Sequence, residues 1–309
     1  MYNYLGDPYT SYLDKDSTDN LMDRLKGEYK GIGVEITTNE SGTVVMTVFE
    51  NSPAEEAGIM VGDIITKVKG VDVNGKTTSE VSNMIKSTNG NVEIEVNRGG
   101  ITKTLTLKVS TVSIKSVIKN KYDKTGYLRI ETFSNTTYKQ FKESLETLEK
   151  DGIENLIVDV RNNGGGFLNS AVEIAELFVE KGKPIYGLQT KDKKEMYKDT
   201  TKEKRDYKVI VLINGGSASA SEVLAAALKE SYGATLLGSK SYGKGTVQDT
   251  SELESGGMIK YTTAYWLTPK GVTINEKGLT PDIEVTGSFK DGMTLENDVE
   301  LQTAINNLK

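Results

Sequence analysis

A serine-rich turn and a glycine-flanked lysine are the residues of this sequence best suited to covalent chemistry. The turn, GGSASASE, covers residues 215–222, and the lysine segment, GKGTVQ, covers residues 243–248. The chain has no histidine and no cysteine, so neither an imidazole base nor a thiolate nucleophile is available. A nucleophilic serine would therefore need a lysine amine as its base, and Ser219 and Lys244 are the candidate pair.

The position of Ser219 at the start of an expected helix has two interpretations. Free backbone N–H groups and the positive end of the helix dipole would stabilise an oxyanion formed beside this serine. Serine at a helix start is also a common N-cap, and Glu222 stands where a capping box requires an acidic residue. The turn alone does not separate a catalytic serine from a structural one.

Lys244 lies between two glycines, shortly after an apparent apolar strand over residues 234–238. In an apolar setting a lysine loses hydration, which lowers its pKa and leaves a neutral amine that accepts a proton from serine. The alternative is an ordinary solvated lysine on a loop.

Other motifs in the chain match known patterns only in part. Residues 238–244 fit the opening of a phosphate-binding loop, but Gly245 stands where Ser or Thr should hold magnesium, which excludes nucleotide binding. Residues 116–119 and 241–244 match S-x-x-K, and residues 124–126 match K-T-G. A penicillin-recognising enzyme needs these motifs far apart with S-D-N between them, so we interpret them as chance matches.

Composition excludes several classes of function. The net charge of −6 argues against a nucleic-acid partner, since phosphate binding requires clustered Lys and Arg. Without cysteine or histidine, the chain cannot form disulfides, and a zinc site would have only carboxylate ligands. We predict that no metal and no cofactor is needed.

The sequence also bears on membranes and targeting. No stretch approaches the roughly 18 apolar residues of a membrane span, and residues 1–7 lack the basic and apolar regions of a signal peptide. The chain as written is expected to be soluble, and it is also compatible with being the soluble part of a longer anchored protein.

A length of 309 residues exceeds what one hydrophobic core usually fills, which predicts more than one domain. Residues 1–27 indicate a turn and a short helix packing on the core, and residues 28–112 indicate a β-rich module of short strands and turns. Residues 113–288 alternate strands with helices, as layered α/β cores do, and residues 289–309 predict a terminal helix. The expected fold class is multi-domain α/β (α+β).

Within the α/β region, two apolar strands end in loops of unusual composition. Residues 155–160 lead into the glycine-rich stretch 161–166, and residues 208–214 lead into the serine turn. Loops at the carboxyl ends of strands are where α/β folds usually bind ligands. We therefore expect both loops to contribute to one site.

The β-rich module resembles a PDZ domain. Gly31, Ile32, Gly33 and Val34 stand where PDZ domains carry their carboxylate-binding loop, and residues 52–65 match the segment that follows. Glycine-flanked amides can bind a terminal carboxylate while the next strand pairs with the peptide backbone. The alternative is a tight turn with closely packed backbone.

Nearly the whole chain resembles the carboxyl-terminal processing proteases, also called tail-specific proteases, which join a PDZ domain to a Ser/Lys peptidase core. The motifs that carry the resemblance are, in order, DVRNNGGG (159–166), SASASE (217–222), GKGTVQ (243–248), TTAYWLTP (262–269) and GLTPD (278–282). The fold that this implies is a PDZ-type module followed by a crotonase-like layered α/β peptidase core.

The resemblance also implies roles for single residues. Ser219 corresponds to the nucleophile, Lys244 to its base, and Gln248 to the residue that orients the lysine. Gly165 and Ala220 would supply the N–H groups of the oxyanion hole. A departure from the family is Gly164, where many members carry proline, and it leaves this loop more flexible.

The implied activity is cleavage of protein substrates near their C-termini, with the PDZ domain binding the substrate C-terminus and gating the active site. Arg98 matches a position thought to couple ligand to core, although a solubilising arginine at a strand end is an equally good interpretation. The resemblance further implies an extracytoplasmic location, anchoring through an N-terminal segment, a homo-oligomer and a regulatory partner. The absence of cysteine permits that location.

Two functions of other classes compete with a peptidase. The first is a peptide-binding scaffold that has lost turnover, and the retained serine, lysine and glutamine speak against it. The second is an acyl-transfer enzyme with a crotonase-like core, for which the sequence has no recognisable acyl-CoA site and which leaves the PDZ-like module unexplained.

Overall fold

The computed structural model describes residues 6–287, 289–290 and 292–309. This part of the chain forms two compact units, Glu28–Lys115 and the remainder. The prediction that the chain has no signal peptide used residues 1–7, of which residues 1–5 lie outside the described ranges. Among the helices within those ranges, none is both long and apolar enough to cross a membrane.

The helices of the described chain are α1 (Lys15–Lys26), α2 (Pro53–Glu56), α3 (Thr78–Lys86), α4 (Thr137–Lys150), α5 (Leu168–Glu176), α6 (Ala220–Ala227) and α7 (Val299–Leu308). The sequence predicts a helix over 219–231, but α6 ends at Ala227 and a π-helical turn, Leu228–Tyr232, follows it. Gly233 ends this turn with a φ of 102°, a conformation that glycine adopts without steric cost.

The strands are β1 (Ser11–Leu13), β2 (Glu28–Gly31), β3 (Val34–Asn39), β4 (Gly42–Val48), β5 (Ile64–Val68), β6 (Val71–Asp72), β7 (Gly90–Arg98), β8 (Ile101–Ser113), β9 (Val117–Tyr122), β10 (Thr125–Ile130), β11 (Asn155–Asp159), β12 (Pro184–Gln189), β13 (Lys194–Lys198), β14 (Lys208–Ile213), β15 (Thr235–Gly238), β16 (Thr246–Glu252), β17 (Met258–Leu267) and β18 (Ile283–Glu284).

The unit Glu28–Lys115 is an antiparallel sheet in the order β2-β8-β7-β5-β4-β3, with β6 paired to β5. Its longest hairpin joins β7 to β8 through Gly99 and Gly100, which both have positive φ, as tight hairpin turns require. Along β7 the alternate residues Val92, Ile94 and Val96 are fully buried. The predicted period of two therefore corresponds to one face packed on the core.

The other unit is built on a sheet in the order β18-β15-β14-β11-β10-β9. Strands β10, β11, β14 and β15 are parallel, and β9 lies antiparallel at the edge. Helices α4, α5 and α6 cover one face, and α7 covers the other. Burial on both faces explains why β11 and β14 are continuous apolar runs, and it confirms the predicted mixed α/β fold.

A second sheet in this unit, β1-β17-β12-β13 with β16 also on β17, was not predicted as a sheet. Residues 243–248 and 262–269 were interpreted only as motifs. The structure pairs the whole of β16 with residues 258–265 of β17. Buried and solvent-facing residues do not alternate regularly along β17, and its partner β16 has a bulge between Val247 and Gln248. A period of two in the sequence therefore gives little indication of this strand.

Arg161, directly after β11, is fully buried among three carboxylates. Its guanidinium lies 2.6 Å from Asp159, 2.7 Å from Asp298 and 2.6 Å from Glu300. Burial alone would raise the pKa of Asp298, but hydrogen bonds from Arg161 and from the start of α7, together with the charge of Arg161, lower that pKa below its ordinary value. The network ties α7 to the strand end from which the glycine-rich loop starts.

We expect Arg161→Met to destabilise the protein by about 3–5 kcal/mol at pH 7, because it leaves buried carboxylates without a counter-charge. Urea unfolding followed by circular dichroism measures this. Lys139→Ala is the control, since Lys139 faces Glu143 at 4.0 Å on an exposed helix surface and should change stability by less than about 0.5 kcal/mol. Equal midpoints for both variants would contradict the structural role of Arg161.

Candidate active site

The serine turn joins the end of β14 to the start of α6, and Ser219 is its strained residue. Ser219 has φ 57° and ψ −118°, a conformation that costs free energy for any residue other than glycine. Strand–turn–helix junctions of this kind expose a nucleophile above the sheet in α/β-hydrolases. Such strain persists only where neighbouring contacts hold the turn.

Those contacts come from the two serines that flank Ser219. Ser217 Oγ donates to the Val160 carbonyl at 2.7 Å, and Ser221 Oγ donates to the Asn163 carbonyl at 2.8 Å. Both flanking serines are fully buried. They fasten the turn to the glycine-rich loop after β11, which leaves the middle serine as the one that lines the cavity.

The glycine-rich loop passes directly beside Ser219. Gly165 has a φ of 97°, and a Cβ atom on it would lie 2.8 Å from Ser219 Cβ and 3.0 Å from the Ala220 nitrogen. The structure thus brings together the two residues predicted to form the oxyanion hole. As the first residue of α6, Ala220 has an N–H without an intrahelical acceptor, whereas the Gly165 N–H donates to Asn163 Oδ1 at 2.9 Å.

Ser219 and Lys244 line one cavity of about 450 Å³. Apolar side chains form much of its wall, including Leu25, Phe133, Leu168, Val223, Val247 and Trp266. Burial lowers the pKa of Lys244, the nearby Lys260 lowers it further, and Glu222 opposes the shift. The shift is in the direction that a lysine base requires.

The predicted catalytic side chains are not joined by hydrogen bonds in this arrangement. Within the described ranges, Lys244 Nζ has no hydrogen bond to Ser219 Oγ or to Gln248. The Gln248 amide instead donates to Thr246 Oγ1 at 2.7 Å. The orienting role of Gln248 remains a prediction, and it requires this amide to turn.

The sequence did not predict the central position of Glu222 in the site. Its buried carboxylate accepts hydrogen bonds from Ser219 N (2.9 Å), Lys244 N (3.0 Å), Gly243 N (2.8 Å) and Ser241 Oγ (2.5 Å). Burial raises the pKa of Glu222, and these donors partly offset that rise. The capping-box pattern indicated the bond to the serine turn, but nothing in it indicated the bonds to the lysine segment.

The predicted peptide-binding residues lie together in the unit Glu28–Lys115. A groove between β3 and α3 is lined by residues that include Gly31, Ile32 and Val34. Gly33 lies in the turn between β2 and β3 with a φ of 89°, and a Cβ atom there would lie 2.1 Å from Ser52 Cβ. Glycine at position 33 is therefore a steric requirement of the loop.

Arg98 lies at the end of β7, as predicted. Its guanidinium donates to both Asp63 carboxylate oxygens at 2.6 and 2.7 Å, and to the Gly58 carbonyl at 2.7 Å. The hydrogen bonds from Arg98 outweigh the effect of burial and lower the pKa of Asp63. These contacts lie within its own unit, and the coupling role of Arg98 stays a prediction.

The fold is that of a PDZ-like sheet unit joined to a layered α/β unit, in which a strained serine and a partly buried lysine line one cavity. Residues 124–285 match the model of peptidase family S41, and residues 31–109 match that of the PDZ domain. The chain belongs to peptidase family S41. The resemblance stated from the motifs is thereby confirmed.

Individual relatives agree with this assignment. A probable CtpA-like serine protease of Staphylococcus haemolyticus (strain JCSC1435) is 37% identical over 289 residues, which cover 92% of this chain and 58% of that relative. The chain thus spans little more than half the length of this curated relative.

Two solved structures are similar in fold. A photosystem II D1 C-terminal processing protease aligns with a TM-score of 0.56 and 30% identity, over 93% of this chain and 80% of that one. A putative S41 protease of Bacteroides fragilis NCTC 9343 aligns with a TM-score of 0.58 over 98% of this chain and 87% of that one, and its 15% identity supports the fold alone.

We expect Glu222→Gln to slow the reaction of Ser219 with a fluorophosphonate probe by about 10-fold or more, because an amide cannot accept all of these hydrogen bonds and leaves a buried donor unpaired. Labelling rates measured by mass spectrometry test this, with Ser219→Ala as the blank. Glu143→Gln, on the exposed face of α4, should label like the native chain. An unchanged labelling rate in Glu222→Gln would contradict a role for Glu222 in the reactivity of Ser219.

Proposed function

We propose that this chain is a serine endopeptidase in which Ser219 is the nucleophile and Lys244 its general base, cutting protein substrates near their C-termini. The observation that carries the proposal is the desolvated Lys244 in the same cavity as the strained Ser219. In a chain without histidine and cysteine, this amine can act as the base for that hydroxyl.

The proposed reaction begins when neutral Lys244 takes the proton of Ser219 Oγ as this oxygen attacks the scissile carbonyl. The Ala220 N–H stabilises the oxyanion, and the Gly165 N–H joins it once its bond to Asn163 is released. The Lys244 ammonium then protonates the leaving amine. Water, activated by the regenerated neutral amine, resolves the acyl-enzyme and restores Ser219.

Gln248 is proposed to orient the Lys244 amine during these steps. Its amide bonds to Thr246 Oγ1 at 2.7 Å, so it must exchange that partner for Lys244 Nζ. Hydrogen bonds of catalytic groups are often made only when substrate is bound, and this exchange follows that behaviour.

Selection of the substrate C-terminus is assigned to the PDZ domain. Strand β3 is at the end of its sheet, so its outer N–H and C=O groups are available to pair with an extended peptide. The loop from Gly31 to Gly33 precedes that strand and would bind the terminal carboxylate. The resemblance further supports gating of the active site by this domain, with Arg98 coupling ligand to core.

The proposal extends to the setting of the whole protein. The same resemblance supports an extracytoplasmic location, anchoring through an N-terminal segment, a homo-oligomer and a regulatory partner.

A peptide-binding scaffold without turnover is the second candidate. The observation that favours it is the set of alternative partners: Gln248 bonds to Thr246, the Gly165 N–H bonds to Asn163 Oδ1, and Lys244 Nζ makes no hydrogen bond to Ser219 in the described structure. Turnover by the native chain separates the two candidates.

We expect Ser219→Ala and Lys244→Ala each to reduce cleavage of an unstructured protein by at least about 1,000-fold, because each removes an essential partner of one proton transfer. Fragment masses recorded over time by mass spectrometry measure the rate. Lys240→Ala is the matched control, since Lys240 is exposed on the same loop, and it should cleave at the native rate. Persistent cleavage by Ser219→Ala would refute the nucleophile assignment.

For the PDZ domain, we expect a peptide substrate with an amidated C-terminus to have a KM about 10-fold or more above that of the free acid and, because this domain is also proposed to gate the active site, a lower kcat. The loop N–H groups lose a charged acceptor, whose hydrogen bonds are worth about 1.5–3 kcal/mol. Steady-state kinetics measure both constants.

Gly33→Val is the matched variant for that comparison. Since a side chain at position 33 collides with Ser52, the loop must deform and the two substrates should then have similar KM values. Equal KM values in the native chain would contradict capture of the carboxylate by this loop.

A further inference from the structure

The segment before α1 is fastened to the sheet that carries the lysine loop. Strand β1 pairs with β17 from Ser11↔Lys260 to Leu13↔Met258. Upstream of β1, the Asp7 carboxylate accepts hydrogen bonds from Tyr9 N at 3.0 Å and Thr10 Oγ1 at 2.5 Å. Asp7 and Thr262 of β17 also line the same surface pocket. Residues 7–13 are therefore held along β17.

This attachment brings the ring of Tyr9 over the amine of Lys244. The Nζ atom lies 5.1 Å from the ring centroid. The Tyr9 hydroxyl also faces Tyr242, in the loop that precedes the lysine. The ring therefore lies between the segment that leads into β1 and the lysine loop.

The aromatic face takes the place of water around the amine. An ammonium group attracts the face of a ring, but burial removes its hydration, and burial is the largest cause of the lowered pKa of Lys244. Removing the ring would admit water to Nζ and favour the charged form. The cover provided by Tyr9 therefore favours the neutral amine.

The other groups that face Lys244 act in both directions. Lys260 on β17 disfavours the ammonium, and Glu222 on α6 favours it. Tyr9 itself faces Tyr242, Glu222 and Glu276, and burial together with these neighbours raises the pKa of its phenol. Tyr9 thus remains an uncharged ring across the pH range in which the lysine would titrate.

We propose that Tyr9 is a positioning residue for the base: its ring excludes water from Lys244 Nζ and confines the amine to the cavity that contains Ser219. This inference rests on the proposed function, because it assigns Tyr9 a part in activating the same lysine. The catalytic centre is then completed by a segment more than 200 positions earlier in the chain.

The test is an NMR titration of Lys244 in protein labelled with 13C at lysine Cε, assigned with Lys244→Arg. In Tyr9→Ala we expect the pKa of Lys244 to rise by about one unit or more towards its ordinary value, since water reaches the amine. In Tyr9→Phe we expect it to stay within about 0.3 unit of the native value, because the ring remains.

Tyr9→Leu separates exclusion of water from attraction by the ring. Leucine retains the apolar cover without an aromatic face, so the pKa should stay low or fall further. Tyr12→Ala is the control, since it removes an exposed ring from the same strand and should leave the pKa unchanged. A pKa that stays constant or falls in Tyr9→Ala, or an equal rise in Tyr12→Ala, would overturn the proposal.

The pH profile of kcat/KM provides the functional readout. Since the base acts when deprotonated, kcat/KM rises with pH through the pKa of Lys244. That rise should move to higher pH in Tyr9→Ala by the shift seen in the titration, which lowers kcat/KM at neutral pH about 10-fold per unit. If the native chain cleaves nothing, the peptidase proposal fails, while the titration still decides the role of Tyr9.

Discussion

The buried carboxylate of Glu222 is the interaction on which the geometry of the site depends. It accepts hydrogen bonds from the backbone of Ser219 and of Lys244, and from Gly243 and Ser241 between β15 and β16. A carboxylate is stable at such depth only when donors satisfy it. The donors belong to the serine turn and to the lysine loop. The free-energy cost of burying this charge is therefore offset only when the turn and the loop lie side by side.

A second set of contacts aligns the serine turn with the glycine-rich loop. Parallel β11 and β14 end at the same edge of their sheet, which brings the two loops side by side. Ser217 and Ser221 then anchor to carbonyls of the loop after β11, and the strained backbone of Ser219 is maintained between them. The three serines therefore differ in their contacts: the outer two hydrogen-bond to the glycine-rich loop, and the middle one lines the cavity.

The chemistry assigned to Lys244 depends on its surroundings more than on its identity. An exposed lysine is charged at neutral pH and is a poor base. Apolar walls, the neighbouring Lys260 and the ring of Tyr9 all reduce hydration or disfavour charge at Nζ. The bond from Trp266 Nε1 to the Lys244 carbonyl at 2.7 Å fixes the backbone from which this side chain extends.

The sequence by itself predicted an amine as the kind of base, because the chain has no histidine and no cysteine. It also determined the strands that are buried on both faces, because β11 and β14 are continuous apolar runs. It also indicated the PDZ domain and the order of the peptidase motifs. The tertiary structure decided the pairing of β16 with β17, the bridging position of Glu222 and the position of Tyr9 over Lys244. These features arise from contacts between residues distant in the chain, and local periodicity and capping patterns carry no information about which distant partner a residue meets.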